Sequence, residues 1–221
     1  MNDALVFDVN ETLLDLGALL PRFESEVGDA GLLPVWFGQM LRNSLVATLT
    51  RAYRPFDELG VDALLHVTMR AGRGIDEVAA RRVVGEMREL PPHPDVRPAL
   101  ERLKDAGYPI VTLTNSSSSM VHDQIRNAGL ADLFDDLYSV ELVRMFKPAP
   151  ETYLSAADRL GRPIGELRLV AAHEWDVTGA IRAGARAAFV ARPGMMLTGV
   201  SEHPDVIGDD LGAVADQLLI G

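Results

Sequence analysis

The stretch Leu5-Val6-Phe7-Asp8-Val9-Asn10-Glu11-Thr12-Leu13 decides the fold. A short apolar run breaks abruptly into an acid, an amide and a hydroxyl, which is how a buried parallel strand ends when the residues beyond it face a ligand. Similar apolar runs recur at Ile110 to Leu113, Leu167 to Ala172 and Ala187 to Ala191. Helix-length segments lie between them at Ser118 to Ala128, Pro150 to Leu160 and Val177 to Ala183, the last closed by Gly184. Strands alternating with helices predict a doubly wound α/β architecture, a three-layer, Rossmann-like parallel sheet core.

One interval breaks the rhythm. About 100 residues separate Asp8 from Pro109, whereas a βαβ unit needs roughly 30. The pattern inside is helical: Trp36, Met40, Leu41, Ser44, Leu45, Thr48 and Leu49 share one face, and further helices fit Asp62 to Met69, Asp76 to Leu90 and Asp95 to Ala106. The division expected is a core of residues 1–15 and 94–221 with an inserted helical cap of residues 16–93, the chain returning through Pro91-Pro92-His93-Pro94.

The 221 residues carry 32 acidic and 21 basic side chains, a net charge of −11 that disfavours nucleic acid and anionic membrane as partners. With no cysteine, a thiolate nucleophile, a disulfide framework and a cysteine-ligated metal are excluded. Neither a basic leader with a cleavage site nor an apolar run near the ~20 residues of a membrane span is present, so a cytoplasmic location is expected.

Polar residues follow each strand: Asp8 to Thr12 after the first, Thr114 and Asn115 after the second, His173 to Asp176 after the fourth, with Lys147-Pro148 between. A carboxylate, a hydroxyl, an amide, an ammonium and a second carboxylate thus converge on one sheet edge. These motifs, in this order, resemble the haloacid dehalogenase superfamily. Lys147 to Tyr153 and Trp175-Asp176-Val177-Thr178-Gly179-Ala180 resemble more narrowly its type II, L-2-haloacid dehalogenases.

The resemblance implies Asp8 as nucleophile, steadied by Thr12 and held ionised by Lys147, with Asp176 orienting the lysine or the hydrolytic water. Thr114 is expected to supply a further hydroxyl, and Asn10, Asn115, Phe37, Arg42, Tyr153 and Trp175 to contact substrate. His173, whose imidazole titrates near neutrality, is a candidate to activate water. Several positions depart from the family pattern. Its cap arginine falls at Phe37, next to Trp36, an aromatic residue at Asn10, a serine at Ala171 and an asparagine at His173. Arg42 and His173 are therefore read as supplying the anion contacts from new positions.

The reaction expected is hydrolytic dehalogenation of a small anionic 2-haloacid through an aspartyl ester, with no cofactor and no metal. One alternative is a phosphatase of the same superfamily using Mg²⁺. It is disfavoured because Asn10 cannot exchange a proton as a second aspartate would, and because Ala172 stands where a further metal-binding acid belongs. Another alternative is a metabolite-binding protein without activity. The resemblance also implies a homodimer.

Overall fold

The computed structural model describes residues 2–220. Six strands form one sheet: β1 (Ala4–Phe7), β2 (Ile110–Thr114), β3 (Asp136–Ser139), β4 (Leu167–Ala171), β5 (Arg186–Val190) and β6 (Val206–Gly208). All pairings are parallel, in the order β3-β2-β1-β4-β5-β6. β1, β2 and β4 are buried along their whole length, which is why they read as unbroken apolar runs. The order reverses at β1, whose two neighbours are β2 and β4; in open sheets of this kind ligands bind at such a point, beyond the strands' carboxyl ends.

The helices are α1 (Leu20–Arg22), α2 (Leu32–Leu49), α3 (Phe56–Arg70), α4 (Glu77–Gly85), α5 (Val96–Asp105), α6 (Ser118–Asn127), α7 (Pro150–Leu160), α8 (Glu174–Arg182) and α9 (Leu211–Ile220). The first four fall within residues 16–93, the segment whose periodicity predicted helices, and α5 follows it before β2. The two ends of this segment lie side by side: Asp15 N–H donates to Pro91 O at 2.9 Å and His93 N–H to Leu13 O at 2.9 Å. The chain leaves and re-enters the sheet region through this paired neck.

Within the interval, Trp36 is fully buried and its indole N–H donates to Gly60 O at 2.8 Å, tying α2 to α3. The helices approach closely because residue 60 is glycine: a Cβ there would meet Met40 Cε at 3.0 Å. Burying an indole of 150–250 Å² stabilises this pair by about 4–6 kcal/mol as an upper figure.

Three expectations need correction. The buried stripe of α2 is Leu33, Trp36, Phe37, Met40, Ser44 and Ala47, while Leu45 and Leu49 are exposed. The face pressed on α3 is rotated from the one the apolar residues suggested. Helix α3 begins at Phe56, since Pro55 precedes it and Asp57 and Glu58 favour its first turn, and the α-helix at Glu77 ends at Gly85 in a 3₁₀ turn, Glu86–Glu89. Strands β3 and β6 were not anticipated: Asp136-Leu137-Tyr138-Ser139 and Val206-Ile207-Gly208 are short, partly exposed segments without a distinctive apolar run.

Candidate active site

Asp8 follows β1 directly, its N–H donating to Val170 O of β4 at 3.1 Å. The next residues turn back sharply: Leu13 and Leu14 N–H both donate to Val9 O, and Glu11 takes a left-handed backbone, φ 61°. This turn carries Thr12 under Asp8, where its hydroxyl donates to Asp8 Oδ2 at 2.6 Å and accepts from Ala172 N–H at 2.9 Å. One threonine thereby fixes the carboxylate rotamer and joins the ends of β1 and β4. Arg192, buried, holds the same turn from behind, donating to Thr12 O at 3.1 and 2.9 Å and to Asp95 Oδ1 at 2.7 Å.

Lys147 is fully enclosed, and its ammonium lies between two carboxylates, 2.8 Å from Asp8 Oδ1 and 2.6 Å from Asp176 Oδ2. Its backbone is anchored by Asn115, whose Oδ1 accepts from Lys147 N–H at 2.9 Å. Tyr153 OH donates to Asp176 Oδ1 at 2.6 Å, so both oxygens of Asp176 accept and the group is a carboxylate. On the other side of Asp8, His173 Nδ1 lies 3.3 Å from Oδ2 while Nε2 lies 2.9 Å from Glu11 Oε2.

The electrostatics follow from this arrangement. Burial would raise the Asp8 carboxyl, but Lys147 and His173 together outweigh burial and hold it well below the usual carboxylate range. Burial raises Asp176, with Asp8 adding to the effect; Lys147 opposes it without a second cation to help. Burial favours the neutral amine of Lys147, yet Asp176 and Asp8 reverse that and the ammonium is retained. Burial and the neighbouring Asp176 push the Tyr153 phenol well up, keeping it a donor. His173 is raised to about 10, its burial outweighed by Asp8 and Glu11. With a carboxylate at each ring nitrogen, this environment favours the imidazolium at neutral pH and disfavours His173 as the water-activating base.

Asp8, Thr12, Lys147, Asp176, Tyr153 and His173 thus form one connected cluster, with Asn115 behind the lysine. Phe37 and Trp175 flank the His173 ring, at centroid distances of 6.2 and 5.1 Å. A cavity of about 230 Å³ opens beside Lys147, walled by Gly38, Leu41, Arg42, Leu45, Pro148 and Trp175. That is below the ~300–1,000 Å³ typical of drug-sized sites and suits a small substrate. Arg42 is exposed on its wall and makes no ion pair among the described residues.

Two expected substrate contacts are turned inward instead. Asn10 donates to Ser116 Oγ at 3.1 Å and accepts from Gln124 Nε2 at 2.9 Å. The Thr114 hydroxyl is wholly buried and accepts from Ser116 N–H at 3.1 Å. Asn115 serves the lysine's backbone through its oxygen. Glu11 and Arg192 were missed. Only the left-handed turn reveals the first, and only the packing of the segment after β5 against that turn reveals the second.

The residues do not fit Mg²⁺. Asp8 and Asp176 are already bridged by an ammonium, the Asn10 amide is committed to Ser116 and Gln124, and Ala172 offers no side-chain oxygen. Among the described residues no group of three His, Cys, Asp or Glu side chains is placed to hold a metal ion, and no helix is long and apolar enough to cross a membrane.

Comparison with known proteins identifies relatives of the whole chain. The chain is 30% identical over 219 residues to (S)-2-haloacid dehalogenase H-109 of Pseudomonas putida, covering 98% of each. It is 28% identical over 220 residues to haloacetate dehalogenase H-2 of Moraxella sp. (strain B), covering 99% of this chain and 98% of the relative. The fold matches the L-2-haloacid dehalogenase of Xanthobacter autotrophicus with chloropropionic acid covalently bound, at a TM-score of 0.93 and 27% identity over 100% of this chain and 99% of the other. Residues 2–184 match the model of the haloacid dehalogenase-like hydrolases, and the chain belongs to that family.

Proposed function

We propose that the protein is a hydrolytic 2-haloacid dehalogenase that uses Asp8 as its nucleophile, acts in the cytoplasm and needs neither metal nor cofactor. The observation that carries this reading is the state of Asp8: an ionised carboxylate, fixed by Thr12 and by Lys147 at the switch point of the sheet, with Lys147 also lining a small cavity whose wall carries Arg42, unpaired among the described residues.

In the first step an Asp8 oxygen attacks the halogen-bearing carbon from the side opposite the halogen. The new C–O bond forms as the carbon–halogen bond breaks, and halide leaves with the bonding pair. Arg42 and His173 hold the substrate carboxylate and the departing halide. In the second step water attacks Cγ of the Asp8 ester. One water proton passes by way of Asp176, the carboxylate raised in basicity, to the leaving 2-hydroxyl oxygen; the other is released to solvent, and Asp8 is regenerated with the water's oxygen. Lys147 stabilises the charge that develops on the ester carbonyl. Residues 16–93 serve as a cap over the core of residues 1–15 and 94–221, excluding bulk water through Phe37, Leu41 and Leu45.

A single turnover of (S)-2-chloropropionate in ¹⁸O water tests this sequence of events. Label is expected in the peptide containing Asp8, with the first product hydroxyl unlabelled. Label found only in the product overturns the covalent route, and EDTA-sensitive release of phosphate from small phosphomonoesters without halide release overturns the dehalogenase reading.

A further inference from the structure

His173 has a carboxylate at each ring nitrogen: Asp8 Oδ2 at 3.3 Å from Nδ1 and Glu11 Oε2 at 2.9 Å from Nε2. A neutral imidazole donates from one nitrogen and presents a lone pair from the other, so either neutral tautomer would set a lone pair against a carboxylate oxygen. Only the doubly protonated ring satisfies both contacts.

The remaining surroundings do not supply this charge preference. Phe37 of α2 and Trp175 of α8 flank the ring with aromatic faces, Lys147 lies behind Asp8, and Glu174 follows in the chain. His173 also stands at the N-terminal end of α8, whose dipole disfavours a cation. Burial disfavours one too.

Glu11 is built to oppose these effects. Its backbone occupies the left-handed region, uncommon for a residue with a long side chain, and is held there by its N–H to Leu14 O at 2.9 Å and by His93 Nε2 at 3.3 Å from its carbonyl oxygen. That conformation brings the Glu11 carboxylate to His173. Asp8 alone cannot hold the ring charged through the reaction, because esterification removes its charge.

We propose that Glu11 is a positioning residue that keeps His173 an imidazolium throughout turnover, giving the site a second cation beside Lys147 when Asp8 has become an ester. Building on the dehalogenase reading, this cation faces the departing halide and the substrate carboxylate at the moment when the carboxylate it had been paired with is neutralised.

The test is ¹⁵N spectroscopy of histidine-labelled protein from about pH 6 to 10, with His173→Asn identifying the signal among the five histidines. In the wild type both His173 nitrogens are expected to remain protonated through about pH 9. In Glu11→Gln the midpoint is expected to fall by about one pH unit or more, with the alkaline limb of kcat/KM for (S)-2-chloropropionate falling by the same amount, and in Glu11→Asp by less. A purely structural role would lower activity at all pH values without moving either midpoint, and that result overturns the proposal. A neutral ring in the wild type at about pH 7.5 overturns it as well, even if Glu11→Gln does not fold. The expected spectra without any haloacid turnover support the ion pair and reject the dehalogenase reading, whereas turnover with a neutral ring does the reverse.

Discussion

Replacing Lys147 with methionine keeps most of the side-chain volume and removes the charge that two buried carboxylates share. Nζ lies 2.8 Å from Asp8 and 2.6 Å from Asp176, with the lysine side chain wholly inaccessible and the carboxylates 7% and 0% exposed, so water cannot take its place. Removing one partner of such a buried pair costs about 3–5 kcal/mol. For a chain of this size about 2–4 °C is lost per kcal/mol, so Tm should fall by about 6–20 °C. The loss should depend on pH. The folded Asp8 carboxyl lies below its unfolded value, so its contribution is present above the unfolded value, ~3.9, and is lost as pH falls through the folded one. Without Lys147 that contribution largely disappears, and protonation of Asp8 or Asp176 relieves the repulsion left behind. The Tm gap between wild type and Lys147→Met should therefore be widest near pH 7.5 and narrow toward pH 4, measured by circular dichroism melts in matched buffers. Activity should fall by about 10²–10³-fold or more, as for loss of a preorganised charge donor. An equal gap at both pH values, or a Tm within about 2 °C of wild type, would refute the electrostatic argument and leave packing as the lysine's contribution.

Arg42→Ala should raise KM for (S)-2-chloropropionate by about 10-fold or more with little change in Tm, since it removes an exposed charge on the cavity wall that makes no ion pair among the described residues; an unchanged KM in a steady-state halide-release assay rejects the proposed role in substrate binding. Gly179→Ala should impair both stability and kcat, because a Cβ there would collide with Pro148 and meet Tyr153 OH at 2.7 Å, displacing the hydroxyl that holds Asp176. Its kcat and melting curve would refute this by matching wild type. Trp36→Phe removes the hydrogen bond to Gly60 O, a carbonyl that keeps its place in the α3 ladder, and should cost about 0.5–1.5 kcal/mol in urea denaturation. A kcat changed by more than about threefold would show that Trp36 does more than hold α2 on α3.

The parts of the site legible in sequence are those placed by short-range logic. Asp8 and Thr12 are four residues apart on one sharp turn, and Lys147 is marked by the proline and helix that follow it. The sheet core was legible because β1, β2 and β4 are buried on both faces and need no alternation to be recognised. What was hidden depends on side-chain direction. Asn10 and Thr114 stand at the right edge of the sheet, but their polar atoms serve Ser116 and Gln124, contacts that span about 100 residues for Asn10 and a local turn for Thr114. The buried face of α2 was misplaced for a related reason: Leu45 walls the cavity and Leu49 is 84% exposed, so apolar character alone did not mark the face that packs. Residue type alone suggests a neutral base at His173; the second carboxylate, brought by the unusual backbone of Glu11, is what favours its charged form.

That charge bears on how a protein of net charge −11 admits an anion. Surface acids are screened beyond a Debye length of about 8 Å at physiological salt, so the substrate meets mainly the charges of the site. There, Asp8, Asp176 and Glu11 are matched by Lys147, His173 and Arg42 on the wall, the last unpaired among the described residues. Attack by Asp8 moves one negative charge from the carboxylate to the halide without changing the total. Lys147 and His173 both lose Asp8 as a partner in this transfer, and each retains one carboxylate, Asp176 and Glu11 respectively. Both cations beside the nucleophile thus attract anions more strongly as the halide forms. An asparagine at position 173, as the family pattern has it, would offer a dipole there and no such change in charge balance.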